Sequence, residues 1–239
     1  MSLVKVEKKD RVAYIGLNRP EKKNALSPDV LVELESALKS LENVTVVVIK
    51  GEGGFFSAGG DISVMFSISG EEGERFSKKG NEFMDFLQNY GAITIAAMEG
   101  GAYGGGLELA LSCDLRIASP QTKMGLTEII LGLFPGWGGV KRMARIAGVG
   151  TAKYLTLTGK IIDGNEAYRL GLVSALADDP VKSAEELAVQ LSQRSSDSIK
   201  SIKTLLGKEE YSTETEEKLF GEILETPTAR ATLEKFLKK

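Results

Sequence analysis

Uninterrupted apolar runs are the feature that most restricts how this chain can fold. The runs "VTVVVIKGE" at 44–52 and "AITIAAMEG" at 92–100 do not alternate polar with apolar residues, which is typical of strands buried on both faces. Between them, residues 24–42 have the periodicity of an amphipathic helix, with Ser27 as N-cap and Pro28 at the first helical position. Buried strands that alternate with helices predict an α/β fold built from strand–strand–helix units.

Further elements follow from the same patterning, and helices dominate after Gly136. The predicted elements are a helix over about 71–90, a helix that ends near Ser112, a strand at 114–120, and amphipathic helices over about 181–194, 196–207 and 212–238. No linker rich in proline or serine separates the two parts of the chain. We therefore expect one core with a helical C-terminal extension, divided into residues 1–185 and 186–239.

The chain of 239 residues contains no histidine, and this excludes several kinds of catalysis. Ser-His-Asp and Cys-His nucleophilic machinery both need an imidazole as the base. Histidine is also the commonest ligand of transition metals, so no metal site is expected. Acid–base chemistry in this protein must therefore use carboxylates, lysine, tyrosine, cysteine or water.

Charge and cysteine content restrict the partners and the compartment. The formal net charge is -3 and no basic stretch exceeds a few residues, so a nucleic-acid partner is not indicated. No apolar run is as long as a bilayer span, and the start "MSLVKVEKKD" lacks the hydrophobic region of a signal peptide. The single cysteine, Cys113, excludes an internal disulfide and fits a reducing compartment. We expect a cytoplasmic protein without a membrane or nucleic-acid partner.

Three glycine-rich segments, at 51–62, 100–109 and 131–140, suggest close approach to the backbone. None matches the dinucleotide or P-loop fingerprint. The first two follow buried strands, and the second leads directly into a helix, whose N-terminal N–H groups are unpaired. Glycines there allow an oxygen to reach those N–H groups, and a second loop that supplies another N–H would complete an oxyanion pocket for an acyl thioester. For each glycine taken singly, a tight turn is the alternative.

Four collinear segments resemble the successive signatures of the crotonase superfamily, the enoyl-CoA hydratase/isomerase family. These segments are "LNRPEKKNAL" (17–26), "FSAGGDI" (56–62), "GGAYGGGLELALSCD" (100–114) and "MGLTEIILGLFPGWGG" (124–139). The resemblance implies a crotonase (ClpP-like) spiral of ββα units, with C-terminal helices that form trimers and close the CoA pocket. It also implies a homotrimer or a hexamer made of two trimers, an acyl-CoA substrate, and no cofactor other than the coenzyme A of that substrate.

The same resemblance implies the catalytic groups. The oxyanion hole would be the backbone N–H groups of Gly60 and Gly105, and the two catalytic carboxylates would be Glu108 and Glu128. Hydratases carry glutamate at both positions, so the implied activity is addition of water to a 2-enoyl-CoA. The chemistry agrees, because two carboxyls that converge on one water can hold it and move its proton. Glu108 and Glu128 stand in apolar surroundings, where a surface charge is not expected.

Other substrate contacts are implied less specifically. The substrate-binding candidates are Lys22, Ala25, Ala58, Gly60, Asp61, Ile62, Ser63, Gly105 and Trp137. Lys22 and its neighbour Lys23 either meet CoA phosphates or are solvated loop lysines. Ser63 stands where hydratases often carry lysine, so one CoA contact is in doubt. Trp137 is bulkier than the usual residue and is either a packed indole or, with Phe134, a wall that shortens the acyl pocket.

Two other functions remain as alternatives. A double-bond isomerase, or another crotonase-type lyase or hydrolase acting on acyl-CoA, needs only one well-placed carboxylate. A non-catalytic, RNA-associated member of the same fold is the second alternative. The acidic balance of the chain and its lack of a basic stripe argue against RNA.

Overall fold

The computed structural model describes residues 2–207 and 212–238. The strands are β1 (Val4–Lys9), β2 (Val12–Leu17), β3 (Val46–Gly51), β4 (Ile93–Met98), β5 (Gly101–Tyr103), β6 (Leu115–Ala118), β7 (Lys123–Gly125) and β8 (Ala175–Leu176). The helices are α1 (Pro28–Ser40), α2 (Ile62–Ser67), α3 (Gly70–Gln88), α4 (Gly105–Ser112), α5 (Gly139–Ala147), α6 (Val149–Thr158), α7 (Gly164–Arg169), α8 (Pro180–Leu191), α9 (Ser196–Gly207), α10 (Thr213–Leu224) and α11 (Pro227–Leu237). Short 3₁₀ turns lie at Pro20–Lys22 and Glu128–Leu131.

The strands form a spiral in two layers. The main sheet has the order β1-β2-β3-β4-β6-β8, antiparallel between β1 and β2 and parallel elsewhere. The second sheet pairs β5 with β7, and the single bridges Leu26–Gly60, Ser57–Ala102 and Met124–Ile162 extend it on both sides. Each turn of the chain thus gives one long strand to the main sheet and one short segment to the second. The predicted α/β spiral of ββα units is confirmed.

The uninterrupted apolar runs are explained by helices on both faces of the main sheet. In β3, Val47 and Ile49 point into a core shared with α1, α3 and α4, whereas Val46 and Val48 point into a second core. The second core is closed by α8, which packs Ala184 and Ala188 against the sheet. Helix α8 spans residues 185 and 186, so the predicted division at that point stays a prediction.

Helix ends agree with the sequence where a cap is present. The Ser27 hydroxyl accepts a hydrogen bond from the Val30 N–H at 3.4 Å, and α1 begins at Pro28 as predicted. The predicted helix over 71–90 is α3, which begins one residue earlier with a capping box at Ser69. The prediction of one helical segment over 212–238 is wrong. Thr226 caps a new helix there and Pro227 occupies its first position, so α10 and α11 are separate.

The second sheet determines where the functional groups lie. The chain passes Gly60 just after the bridge at Ser57, enters α4 just after β5, and reaches Glu128 just after β7. Since these segments pair side by side, residues more than sixty positions apart in sequence meet at one end of the second sheet. Among the described residues, we find no helix that is both long and apolar enough to cross a membrane.

Candidate active site

A cavity of about 860 Å³ lies at the end of the second sheet, between α2, α3, the start of α4 and the 3₁₀ turn that begins at Glu128. Most of its surface is apolar. The predicted site residues that line it are Ala58, Gly60, Ile62, Gly105, Glu108, Glu128 and Trp137. Two loops, two helices and the 3₁₀ turn therefore bring seven of the predicted positions to one cavity.

Two backbone amides face each other at the cavity. A Cβ built on Gly105 would lie 3.2 Å from the Gly60 nitrogen, and one built on Gly59 would lie 3.1 Å from the Gly105 nitrogen. Gly59 has a φ of +96° and Gly104 a φ of +47°, conformations that L side chains rarely adopt. Neither the Gly60 nor the Gly105 amide donates a hydrogen bond to another residue in 2–207 or 212–238. Both N–H groups are thus available to one acceptor oxygen.

Glu108 is the buried carboxylate of the site, with only 1% of its surface exposed. It lies in the first turn of α4, and its Oε1 accepts hydrogen bonds from the Trp137 and Gly139 N–H groups, both at 2.8 Å. Gly139 opens α5, so the carboxylate also faces the positive end of that helix. Burial raises the pKa of Glu108 to about 7, against the opposing effect of the two amides.

Glu128 is the second carboxylate of the cavity, and it is less tightly held. Its Oε1 lies 3.0 Å from the position that a Cβ on Gly104 would occupy, beside the start of α4. Its Oε2 is buried and has no hydrogen-bond partner among the described residues. Burial raises the pKa of Glu128, and Glu128 in turn raises the pKa of Glu108 by charge repulsion. The charges of the two carboxyls therefore interact across the cavity.

The raised pKa of Glu108 predicts a pH-dependent gain in stability for Glu108→Gln. The carboxylate binds its proton more tightly in the folded state than in the unfolded state, so its contribution is complete below pH 4.5 and is lost as the pH rises through 7. Glutamine removes this loss and can still accept both amide hydrogen bonds. We expect the free energy of unfolding of the variant to exceed that of the parent by about 3 kcal/mol at pH 8. The difference should nearly vanish at pH 4.5.

Chemical denaturation at both pH values measures this difference. Glu71→Gln is the control, since Glu71 is exposed on the first turn of α3, and its stability should follow that of the parent at both pH values. An equal free energy of unfolding for Glu108→Gln and the parent at pH 8 would show that Glu108 is not a destabilised buried carboxylate.

Trp137 is both a packed indole and a wall of the cavity. It is 3% exposed, and its ring packs against Phe76 in a tilted arrangement, with 5.2 Å between the ring centroids and an interplanar angle of 57°. Its six-membered ring lies against Gly105, and its pyrrole edge occupies the space that a side chain on Gly80 of α3 would need. Phe134 also lines the cavity but is 77% exposed. A role of either residue in limiting acyl length stays a prediction.

Four predicted substrate contacts lie outside the cavity lining, and one of them, Asp61, contacts two of the others. Asp61 caps α2 by accepting hydrogen bonds from the Ser63 hydroxyl at 2.5 Å and from its N–H at 3.2 Å. The Asp61 carboxylate pairs with Arg19 at 3.0 Å and with Lys22 at 3.6 Å. The Ser63 hydroxyl and these cations lower the pKa of Asp61 to about 2. Ala25 is buried, and its carbonyl accepts a hydrogen bond from Arg19. CoA contacts by these residues stay predictions.

Two arginines that organise the site were missed by reasoning from the sequence. Arg19 anchors the loop below Gly60 through Asp61 and the Ala25 carbonyl. Arg142 is 8% exposed and reaches back from α5 to the Trp137 carbonyl at 2.7 Å. Both arginines lie in stretches rich in basic residues, which are typical of a solvated surface. Their hydrogen-bond partners are either distant in sequence or become neighbours only through a turn. No local pattern could have revealed them.

Comparison with known proteins agrees with this geometry. A family model described as "Enoyl-CoA hydratase/isomerase" matches residues 7–239. The chain belongs to this family. A probable enoyl-CoA hydratase of Bacillus subtilis is 39% identical over 95% of this chain and 93% of its own length. A short-chain-enoyl-CoA hydratase of Clostridium acetobutylicum is 34% identical over 98% of this chain and 94% of its own length.

Solved structures of the family show the same fold. The crystal structure of an enoyl-CoA hydratase from Bacillus anthracis superposes with a TM-score of 0.94 at 29% identity, over 99% of this chain and 96% of that one. An enoyl-CoA hydratase from Geobacillus kaustophilus superposes with a TM-score of 0.94 at 30% identity, over 100% of this chain and 94% of that one. The spiral is therefore the crotonase fold, and the chain is a crotonase-family hydratase.

Proposed function

We propose that this protein adds water across the 2,3 double bond of a 2-enoyl-CoA thioester to give a 3-hydroxyacyl-CoA. The observation that carries the proposal is the meeting of two carboxyls, the buried Glu108 and the half-buried Glu128, with two amides that have no acceptor among the described residues, in one apolar cavity. The amides suit a thioester carbonyl that gains negative charge, and the carboxyls suit proton transfer at the neighbouring carbons.

In the proposed reaction, each group has one task. The Gly60 and Gly105 N–H groups donate hydrogen bonds to the thioester oxygen as C2 gains electron density. Glu108 orients the water and accepts one of its protons while the water oxygen bonds to C3. Glu128 gives a proton to C2, so one whole water is added across the double bond. The proton on Glu108 then returns to Glu128 before the next turnover.

The environments of the two carboxyls support this division of tasks. Glu128 has a buried Oε2 without a hydrogen-bond partner among the described residues, and burial raises its pKa, so both features favour its protonated form. Glu108 accepts two amide hydrogen bonds at 2.8 Å and lies near the cationic Arg142, and both effects favour its ionised form. Burial still raises the pKa of Glu108 to about 7, so the assignment of Glu108 as the base rests on the two amides that donate to its Oε1.

The main alternative is a double-bond isomerase, which uses one carboxyl to move a proton between C2 and C4. Rates of 2-enoyl-CoA hydration and of 3-enoyl-CoA to 2-enoyl-CoA migration should be compared on a single preparation. Hydration that exceeds migration by at least about tenfold supports the hydratase. Migration that is faster than hydration would support the isomerase and contradict the proposal.

We also propose that copies of the chain associate as a homotrimer or a hexamer. Large apolar side chains remain exposed on α6 and on the last two helices, among them Leu157, Phe220, Phe236 and Leu237. Exposed apolar patches of this kind usually mark contacts between proteins. Sedimentation equilibrium of the full chain tests this, and a monomer at micromolar concentration would contradict it.

A further inference from the structure

The segment 136–139 is held so that two of its amides point at Glu108, and Arg142 provides part of that hold. Both backbone polar groups of Trp137 make hydrogen bonds. Its N–H donates to Glu108 at 2.8 Å, and its carbonyl accepts from Arg142 Nη1 at 2.7 Å. The backbone of a single residue thus connects the guanidinium to the carboxylate.

The guanidinium of Arg142 is itself fixed by α3. Its Nε donates to Gln88 Oε1 at 2.7 Å, and its Nη2 pairs with Asp85 Oδ1 at 2.5 Å. Its side chain is 9% exposed, whereas that of Asp85 is 71% exposed. Three donors on a planar fork cannot rotate independently, so the position of the fork is determined by α3.

The backbone of the segment 136–139 leaves no space for a side chain next to Arg142. Gly138 has a φ of +85°, and a Cβ on it would lie 2.5 Å from Arg142 Nη1. The preceding carbonyl, that of Gly136, accepts hydrogen bonds from Ser77 Oγ and Asn81 Nδ2, both at 2.7 Å. Donors from α3 and α5 therefore hold the carbonyls of this segment, and its amides remain directed at Glu108.

We propose that Arg142 is a positioning residue of the hydration site, which keeps the Trp137 and Gly139 amides on Glu108 and thereby favours the ionised carboxylate that accepts the proton of water. This inference rests on the proposed hydration activity. The charged groups that act on Glu108 are Glu128, from the neighbouring 3₁₀ turn, and Arg142, from α5. Arg142 is the cation of this set, and Asp85 of α3 lies on its far side.

The test is the pH at which Glu108 titrates, in the parent and in Arg142→Gln. The ¹³C resonance of the Glu108 side-chain carboxyl, assigned by its loss in Glu108→Gln, reports this pH without any substrate. We expect the midpoint to rise by about one pH unit in Arg142→Gln, because a nearby opposite charge and its hydrogen bonds lower a carboxyl pKa by that order. The acid limb of the kcat profile should move by the same amount, which lowers kcat about tenfold at pH 6.

Two further variants separate positioning from a general loosening of the fold. Arg142→Lys keeps the charge but loses the fork, so its shift should be about half that of Arg142→Gln. Asp85→Asn removes the ion pair on the outer side of the guanidinium and keeps an acceptor there, so its midpoint should stay within about 0.3 units of the parent. An unmoved Glu108 midpoint in both Arg142 variants would overturn this inference. Absence of hydration by the parent would instead overturn the proposed function.

Discussion

Replacing Glu108 or Glu128 with glutamine is expected to reduce kcat for hydration of a 2-enoyl-CoA by about 10²–10⁴-fold, with a much smaller change in KM. Glutamine keeps the shape and most hydrogen bonds of each side chain but can neither accept the water proton nor donate one to C2. Both side chains line the same cavity, and Glu108 is held by backbone amides that a glutamine can still use. The loss should therefore come from proton transfer rather than from binding.

The variant that combines Glu108→Gln with Glu128→Gln tests whether the two carboxyls act together. Carboxyls that act on one water work as a unit, so their effects on kcat are not independent. We expect kcat of the double variant to be only slightly lower than that of the slower single variant. The total loss should be much smaller than the product of the two single losses. Glu82→Gln is the control, since Glu82 is exposed on α3 and pairs with Lys78. Its kcat should stay within about threefold of the parent, as is usual for exposed charges. Full activity in either active-site variant would remove that glutamate from the reaction.

Substitution of Gly105 by alanine is expected to lower kcat/KM by about 10²–10³-fold, the size of effect seen when one oxyanion donor is lost. The new Cβ would lie 2.5 Å from Cζ3 of Trp137 and 3.2 Å from the Gly60 nitrogen. It would therefore occupy the space between the two amides and also press on a buried indole that has little room to move. The N–H of residue 105 remains, but an acyl oxygen can no longer reach both donors.

Gly60→Ala is the matched comparison for this prediction. A Cβ on Gly60 would lie 3.3 Å from Met65 Cε, the end of a flexible side chain that can yield by a few tenths of an ångström. We expect kcat/KM to fall by less than about tenfold, because the passage between the amides stays open. Similar losses in the two variants would mean that the Gly60–Gly105 gap is not where the carbonyl binds. Circular dichroism of both variants checks that the fold is kept.

Much of the fold could be predicted because its signals are local. The run at 44–52 became β3, whose alternate residues enter two cores, and Ser27 with Pro28 marked the start of α1. The helix that follows the glycines ends at Ser112 as expected. Where the signal was weak, the prediction was wrong: the amphipathic pattern of 212–238 continues across Pro227, but the backbone breaks there. The boundary between α10 and α11 is set by the N-cap Thr226 and by Pro227, and the pattern of apolar residues does not reveal it.

The candidate site could be predicted only as far as its glycines and glutamates. Their types point to an oxyanion and to proton transfer, and the structure places Gly60, Gly105, Glu108 and Glu128 around one cavity. The bonds that orient Glu108 come from residues about thirty positions later, and those that fix Arg142 come from α3 and Trp137. Such long-range hydrogen bonds leave no periodic trace in a sequence, because they depend on how the layers pack.

The most direct measurement follows the ultraviolet absorbance of the conjugated enoyl thioester after purified protein is mixed with crotonyl-CoA. Rapid loss of this absorbance, with 3-hydroxybutyryl-CoA as the product and a rate at least about 10²-fold lower for Glu128→Gln, is the predicted result. Stable absorbance with the parent protein, while binding of CoA esters is still detected, would contradict the two-glutamate hydratase. The oxyanion pocket would then serve a different reaction of acyl-CoA thioesters.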